Sequence, residues 1–515
     1  MLNLAKKNFN KLAFLSLGLA IYFFSSSCSS RTERSRIVVA GAGKISSLDP
    51  AQASTFHAIQ LISALGDTLY KFNNDGSISP QLARDFPSKS ADGKTIFIPL
   101  RDDVYFHDGT KLNSKSMAFT INRFIKIGTM NYLLKDLIKS VETPDEYTLK
   151  LNLLRPSSSL NKILTSINLT PLSEKAYKNY TNKFLNKEFI GTGPYKLSSF
   201  HSHQQNLIPF QKYWGGQVRN KGINFINLSN STSLFSALIT GEIDVLLSNS
   251  IDEDQRIYLN KLSKHKKLRK ASSNALEIGY ITLNTKSKIF EKSEIRKALL
   301  FSIDRDLISK RVSYGLRKPL RSLVPPILNN KKIFYWPEYN PSRTKSILKD
   351  AGFCKNKTLV IPLTFRSNVP TDKLLAMTWQ EKIKNDLSEC LSLKLNGVES
   401  TTVYKQLSQS AFDAVVLDWR APYPDAEAYL APFLSCEKIK GSICERGESV
   451  ISGSFLGDQR INNHLQSINS LSGIERIKKL NQIEKYAVEG GAYLPIWLVD
   501  SSAWSQTNIS KPEFN

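Results

Sequence analysis

The spacing of apolar positions changes repeatedly along this chain, and each change predicts a different element. Over 147–153, Tyr147, Leu149, Leu151 and Leu153 alternate with polar neighbours, as a half-buried strand requires, and 95–100 alternates in the same way. Short apolar runs at 37–40 and 243–247 predict two more strands. Elsewhere the spacing moves to three and four. Met117, Ile121 and Phe124 share one face of a helix that Asn113 or Ser114 can cap and that runs to about Ile127. A helix is expected over 61–69. Thr232 is placed to cap another, burying Phe235, Leu238 and Ile239 and stopping at Gly241. Ser293 is the expected cap of a helix with Ile295, Ala298 and Leu299 inward. Asp304 caps the next, which stops at Gly315. Asn340-Pro341 opens one more, closed by Gly352 after Ala351, the usual asymmetry of proline at entry and glycine at exit. Asp75-Gly76, Asp92-Gly93 and His107-Asp108-Gly109 are turns. Strands and helices mixed in this way predict α/β layers, and 515 residues at about 150 per domain predict roughly three domains.

The first 27 residues follow another pattern. Lys6, Lys7 and Lys11 precede an apolar run over 12–24, then Ser25, Ser26, Ser27 and Cys28. That run is shorter than the roughly 20 residues a bilayer crossing needs, so residues 1–27 read as a signal peptide. Small residues before a lone cysteine resemble a bacterial lipoprotein cleavage site, with Cys28 the expected lipidation point and 28–36 a polar tether. An ordinary signal or an uncleaved anchor is the competing reading.

The formal net charge is +25. Cations are spread along the chain, and the densest cluster, Lys261 to Lys270, lacks the interleaved aromatics of a nucleic-acid groove. A solvated basic surface is expected, and no nucleic-acid partner. Four cysteines remain: Cys354, Cys390, Cys436 and Cys444. An even number in an exported chain implies two disulfides. Three pairings are possible; Cys436–Cys444, which closes a short loop, with Cys354–Cys390 is favoured. No histidine adjoins them and no C-x-x-C occurs, so no metal and no cofactor is expected.

Several stretches stand in an ordered series: Ser47-Leu48-Asp49-Pro50, the run from Asp75 through Ser79-Pro80-Gln81-Leu82-Ala83, Asp92-Gly93-Lys94-Thr95, and Leu100 to Gly109. Gly191-Thr192-Gly193-Pro194-Tyr195, Tyr213-Trp214, Gly241-Glu242-Ile243-Asp244-Val245, Asn284, Ile295 to Arg305, Asp418-Trp419 and Tyr423-Pro424-Asp425 follow. Singly each signals little, and Gly191-Thr192-Gly193-Pro194 alone reads as a turn. Together, over about 37–500, they resemble the extracellular solute-binding proteins of oligopeptide, dipeptide and nickel ATP-binding-cassette importers. The resemblance implies a two-lobed periplasmic-binding-protein fold (class II, peptide-binding type) with an extra third domain. It places a base lobe at 36–75, 196–285 and 490–515, the extra domain at 76–195 and the second lobe at 286–489. It implies a monomer, lipid-anchored in a bacterial periplasm, that passes short peptides to permease and ATPase subunits.

A carrier of mixed peptides must grip what all peptides share: the main chain, a positive amino end and a negative carboxyl end. In peptide-binding relatives an aspartate shortly after the tryptophan holds the amino end. Here Pro422 occupies that place, so the role passes to Asp418 or Asp425, or is not exercised that way. Trp419 is either a wall for the ligand or core, and Tyr423 adjoins it. Arg420 and Arg366 are candidates for a ligand carboxylate; Phe56, His57 and Tyr105 are candidates for the cleft wall. Two other classes compete. An exported hydrolase would need a marked nucleophile or metal motif; G-x-S-x-G, H-E-x-x-H and G-x-x-x-x-G-K do not occur, and Ser346-Ile347-Leu348-Lys349 lacks its companion motifs. A structural lipoprotein would keep the fold and lose the cargo. Within the family, a nickel chelate, haem or a cell-wall peptide is the alternative solute, with His201-Ser202-His203 as a histidine pair expected on one strand face.

Overall fold

The computed structural model describes residues 36–512 apart from 42–44, 46, 54, 186, 229, 248–250 and 330–334; the signal peptide, Cys28 and nearly all of the tether lie outside the described residues. Two large mixed sheets and a smaller antiparallel one organise the chain.

The first sheet has seven strands. Ile37–Gly41 lies at its centre, parallel to Ile223–Asn227 on one side and to Val245–Leu247 on the other. Tyr195–Phe200, Gln204–Pro209, Arg269–Ser272 and Ser502–Ser505 join antiparallel. The helix Ser231–Thr240 makes the crossover between the parallel neighbours. Asn230, not Thr232, caps it, accepting from the Ser233 amide at 2.8 Å. Starting there, the helical repeat turns Leu234, Ala237 and Leu238 inward and leaves Ile239 exposed, which corrects the expected face.

The smaller sheet runs Ser88–Lys89, Thr95–Pro99, Thr148–Leu153, Ile138–Asp145. The helix Ser114–Ile127 lays Met117, Ile121 and Phe124 on it, and Asn113 and Ser116 form a reciprocal cap. The early helix spans Phe56–Leu65, not 61–69. Gly66 breaks it because Gly191-Thr192-Gly193 packs there: a Cβ on Gly193 would stand 2.5 Å from the Gly66 nitrogen. Two glycines let two backbones meet where any side chain would clash.

The second large sheet runs Lys318–Pro319, Tyr493–Val499, Glu277–Leu283, Ala414–Arg420, Leu359–Arg366, Leu391–Val398. Its core includes fully buried Trp336, Trp379, Tyr493 and Phe433. Asp304 and Asn340 cap Arg305–Ser313 and Pro341–Asp350 as expected. Ser293 does not cap; its hydroxyl turns to Glu294 and Lys292 holds the cap position. Disulfides join Cys354 to Cys390 and Cys436 to Cys444.

The chain passes between the two large sheets at 273–276 and again at 500–501. These crossings lie side by side: the Ser273 amide donates to the Ser501 carbonyl at 2.8 Å and the Ser501 amide to the Ser273 hydroxyl at 3.2 Å. Glu253, beside the first sheet, accepts from Arg317 beside the second at 3.2 Å.

The helix Gly473–Gly490 buries Glu484 completely. Its carboxylate accepts from the Ser322 hydroxyl and the Leu323 amide, both at 2.8 Å, with no cation among these donors. Burial pushes its pKa up to about 7 from 4.5, against those hydrogen bonds. The folded state therefore holds this proton more tightly than the unfolded chain, so stability falls as pH rises from about 4.5 to about 7. Glu484→Gln keeps the accepting oxygen and removes the charge. Urea unfolding should give equal stability for both proteins near pH 4.5 and an advantage for the variant on the order of 3 kcal/mol or less at pH 8; an unchanged difference across that range contradicts the assignment.

Candidate functional site

The motifs that order the sequence resolve into buried carboxylates and amides that tie segments together. Asp49 is fully buried and accepts from Nη1 and Nη2 of Arg123 and from the amides of Ala51 and Leu185. Asp67 gathers four neutral donors: Gln81 and Trp214 at 2.9 Å, Tyr213 at 3.2 Å and Thr192 at 3.5 Å. Burial outweighs these bonds and lifts its pKa to about 6. Asp244 accepts from the Val38 amide, and Asn284 donates to Ser410 and to the Phe412 carbonyl. These residues are buried and engaged within the fold.

Ala414–Arg420 pairs antiparallel with Glu277–Leu283, placing Trp419 opposite Ile278, Asp418 opposite Gly279 and Arg420 opposite Glu277. Strand alternation then divides the segment. Trp419 belongs to the core face: its indole donates to the Ala428 carbonyl at 3.0 Å and its ring meets Phe433 edge-on at 5.7 Å. Glu277, Asp418 and Arg420 share the opposite face. Gly279 lies between them because Trp497 lies across it; a Cβ there would stand 2.1 Å from the indole nitrogen. Arg317 covers Trp497 with its guanidinium 5.0 Å from the ring centroid.

This face is charged and only partly solvated. Arg366 is buried, held by Asp372 at 2.7 and 3.1 Å, by the Tyr404 hydroxyl at 2.8 Å and by Asp418. Burial works against its charge, and the two aspartates outweigh it and raise its pKa. Asp418 keeps 42% of its side chain exposed while making this pair. Glu277 has its pKa raised by burial and by the charge of Asp418, against Arg317, Arg420 and Arg366. Arg420 is exposed. Sequence reading missed Glu277, Arg317 and Trp497. Glu277 opens an apolar run, and only the pairing register reveals that it faces Arg420.

Asp425 has a different environment. It is fully buried, taking Arg476 at 2.8 and 3.0 Å, Lys162 at 2.7 Å and the Glu427 amide at 2.8 Å. Burial opposes its charge; Lys162 and Arg476 overcome that and lower its pKa. Lys162 belongs to the layers around the small sheet and Arg476 to those around the second large one, so Asp425 clamps the two. Tyr423 packs on the small sheet's core. His57 is buried against Gly41 and Phe225, its pKa lowered by burial. Phe56 opens the helix Phe56–Leu65 and its side chain lies outside the described residues. The Tyr105 ring has the ammonium group of Lys212 at 5.3 Å and that of Lys111 at 5.8 Å from its centroid. His201 and His203 stand in the turn between Tyr195–Phe200 and Gln204–Pro209 rather than on one strand face, because the strands end at 200 and begin again at 204. Two concavities, one at the lysine cluster and one beside the helix Pro370–Leu387, share no lining residue with 418–425, and the candidate site is the strand face itself.

Residues 77–441 match the family described as bacterial extracellular solute-binding proteins, family 5 middle. The glutathione-binding protein GsiB of Salmonella typhi is 24% identical over 409 residues, 78% of this chain and 78% of that protein. GsiB of Escherichia coli K12 is 23% identical over the same length. Among solved structures, NikA from Brucella suis in complex with Fe(III)-EDTA superposes with a TM-score of 0.81 at 21% identity, covering 93% of this chain and 97% of that one. AppA from Bacillus subtilis in complex with a nonapeptide gives 0.71 at 19%, covering 93% and 96%. No helix among the described residues is long and apolar enough to cross a membrane. The two-lobed fold with a further domain is thus the observed one, and the chain belongs to the family 5 bacterial extracellular solute-binding proteins, the substrate-binding components of ABC importers.

Proposed function

We propose that this protein captures short peptides for its importer, with the amino end of the peptide held by Asp418 and Glu277. The lobes would follow the expected limits: 36–75, 196–285 and 490–515 as base, 286–489 as second lobe and 76–195 as extra domain. They would close about the paired crossings at 273–276 and 500–501. The protein would act in the periplasm, tethered through a lipid at Cys28.

One observation carries this reading. Of the two aspartates that can replace the missing one at Pro422, Asp425 is fully enclosed and saturated, whereas Asp418 keeps 42% of its side chain exposed. Glu277 shares its strand face, and burial together with the nearby charge of Asp418 raises its pKa against three arginines. An ammonium group docking there would offset both the lost hydration and the mutual repulsion. Arg420, exposed on the same face, suits a ligand carboxylate or carbonyl. Binding in the micromolar range needs about −8 kcal/mol, which a few desolvated ionic and main-chain bonds supply.

Thermal unfolding with a tripeptide mixture should raise the melting temperature, and N-acetylated versions should not. Asp418→Asn with Glu277→Gln should weaken tripeptide binding by roughly tenfold or more, the loss of about 1.4 kcal/mol or more. A rise with Ni(II)–histidine or haem and none with peptides overturns the peptide reading.

The two aspartates should also separate in stability. Asp425→Asn leaves buried Arg476 with Glu427 alone and part-buried Lys162 without its carboxylate, and should cost about 3 kcal/mol in urea unfolding. Asp418→Asn leaves Arg366 with Asp372 and should cost about 1 kcal/mol or less, given the exposure of Asp418. Equal costs would remove the distinction between clamp and ligand group.

A further inference from the structure

The most cationic stretch of the sequence, Lys261 to Lys270, folds around a concavity. It leaves the helix Glu253–Lys264, turns, and enters Arg269–Ser272, the edge strand of the seven-stranded sheet. That strand pairs with Ser502–Ser505, which brings the C-terminal segment to the same place. The resulting concavity has a volume of about 1270 Å³. Lys261, Lys264, Lys266, Arg269, Lys270 and Lys511 line it, six cations with no carboxylate among the lining residues.

Two further features separate this place from an ordinary solvated face. Its wall is partly apolar: Leu268 is buried at its edge, and Tyr314 and Leu316 reach it from the segment after the helix Arg305–Ser313, beside the second sheet. Two acids stand at its margin, Asp500 paired with Arg256 at 3.3 Å and Asp254 hydrogen-bonded to the Tyr314 hydroxyl, and the six lining cations outnumber them. Lys270 is half-buried; burial lowers its pKa and, with Arg256, Lys318 and Lys264, outweighs Asp500. Cations gathered in a concave, partly apolar wall focus a positive potential inside it. A single negative charge would leave most of them unanswered. Clustered phosphates match the charge, lysine ammonium groups suit them as point charges, and the apolar wall takes the body that carries them.

We propose that this concavity binds a ligand carrying two or more closely spaced phosphate groups, at a site separate from the cleft. Because Tyr314 and Leu316 come from the second sheet's layers and the cations from the first, a bound ligand would touch both. A free polyphosphate compound and a diphosphate lipid headgroup share this chemistry.

Two probes distinguish them. Isothermal titration calorimetry with inorganic tripolyphosphate, at about 0.15 M salt where diffuse surface attraction is screened, reads the soluble source. Flotation with phosphatidylcholine vesicles containing about 20 mol% cardiolipin reads the headgroup. Saturable binding of either supports the site and names its source. Lys264→Gln/Arg269→Gln/Lys511→Gln should weaken it by roughly tenfold or more. Lys345→Gln/Lys349→Gln/Lys485→Gln, which removes the same charge elsewhere, should not. Absence of saturable binding to both probes overturns the proposal, as does an equal loss in the second variant.

Discussion

Two short segments carry this chain between its large sheets, and their side-by-side pairing is the constraint on which the architecture rests. At 273–276 and at 500–501 the backbone leaves one sheet for the other, and Ser273 and Ser501 bond to each other at the passage. Few other residues are needed for two lobes to keep a common axis. The strands that continue from the crossings, Glu277–Leu283 and Tyr493–Val499, become adjacent central strands of the second sheet. The face nearest the crossings therefore begins with Glu277, which the register between Glu277–Leu283 and Ala414–Arg420 places opposite Arg420.

Charge is used in two ways in this fold. Buried carboxylates act as ties: Asp49 on Arg123, Asp425 on Arg476 and Lys162, and Asp67 on neutral donors drawn from three segments. Each is enclosed, so breaking one leaves uncompensated groups in a low dielectric. Near the crossings the balance differs. Glu277, Asp418 and Asp372 face Arg366, Arg317 and Arg420 with part of the cluster in solvent, so a visiting charge can enter without dismantling the core. Specific recognition needs this second environment: groups already desolvated enough to bind strongly, and not yet saturated.

Much of the fold was legible because local rules sufficed. Asn113, Asp304 and Asn340 announce their helices through the acceptor each places at the first turn, and 148–153 announces its strand by alternation. Errors came where a competing local residue or a distant segment decided. Asn230 took the cap expected of Thr232, and Gly191 and Gly193, far along the chain, ended the helix at Leu65. The site was less legible for the same reason. The segment 418–425 stands out, yet burial divides it in a way no local pattern encodes: Trp419 faces the core, Asp425 is a clamp, and Asp418 alone of the two aspartates retains solvent. Glu277 is set in place by strand register, which depends on the partner strand more than a hundred residues away.

The ordered motifs thus describe how the layers are tied together, and the charged strand face beside the crossings is the proposed seat of the cargo. A crystal structure of the protein grown with a saturating pool of short peptides tests this most directly. The account predicts an extended peptide between the lobes with its amino nitrogen about 3 Å from a carboxylate oxygen of Asp418 or Glu277. A peptide amino end seated far from both carboxylates, or cargo bound with the two lobes no closer together than without it, would contradict it.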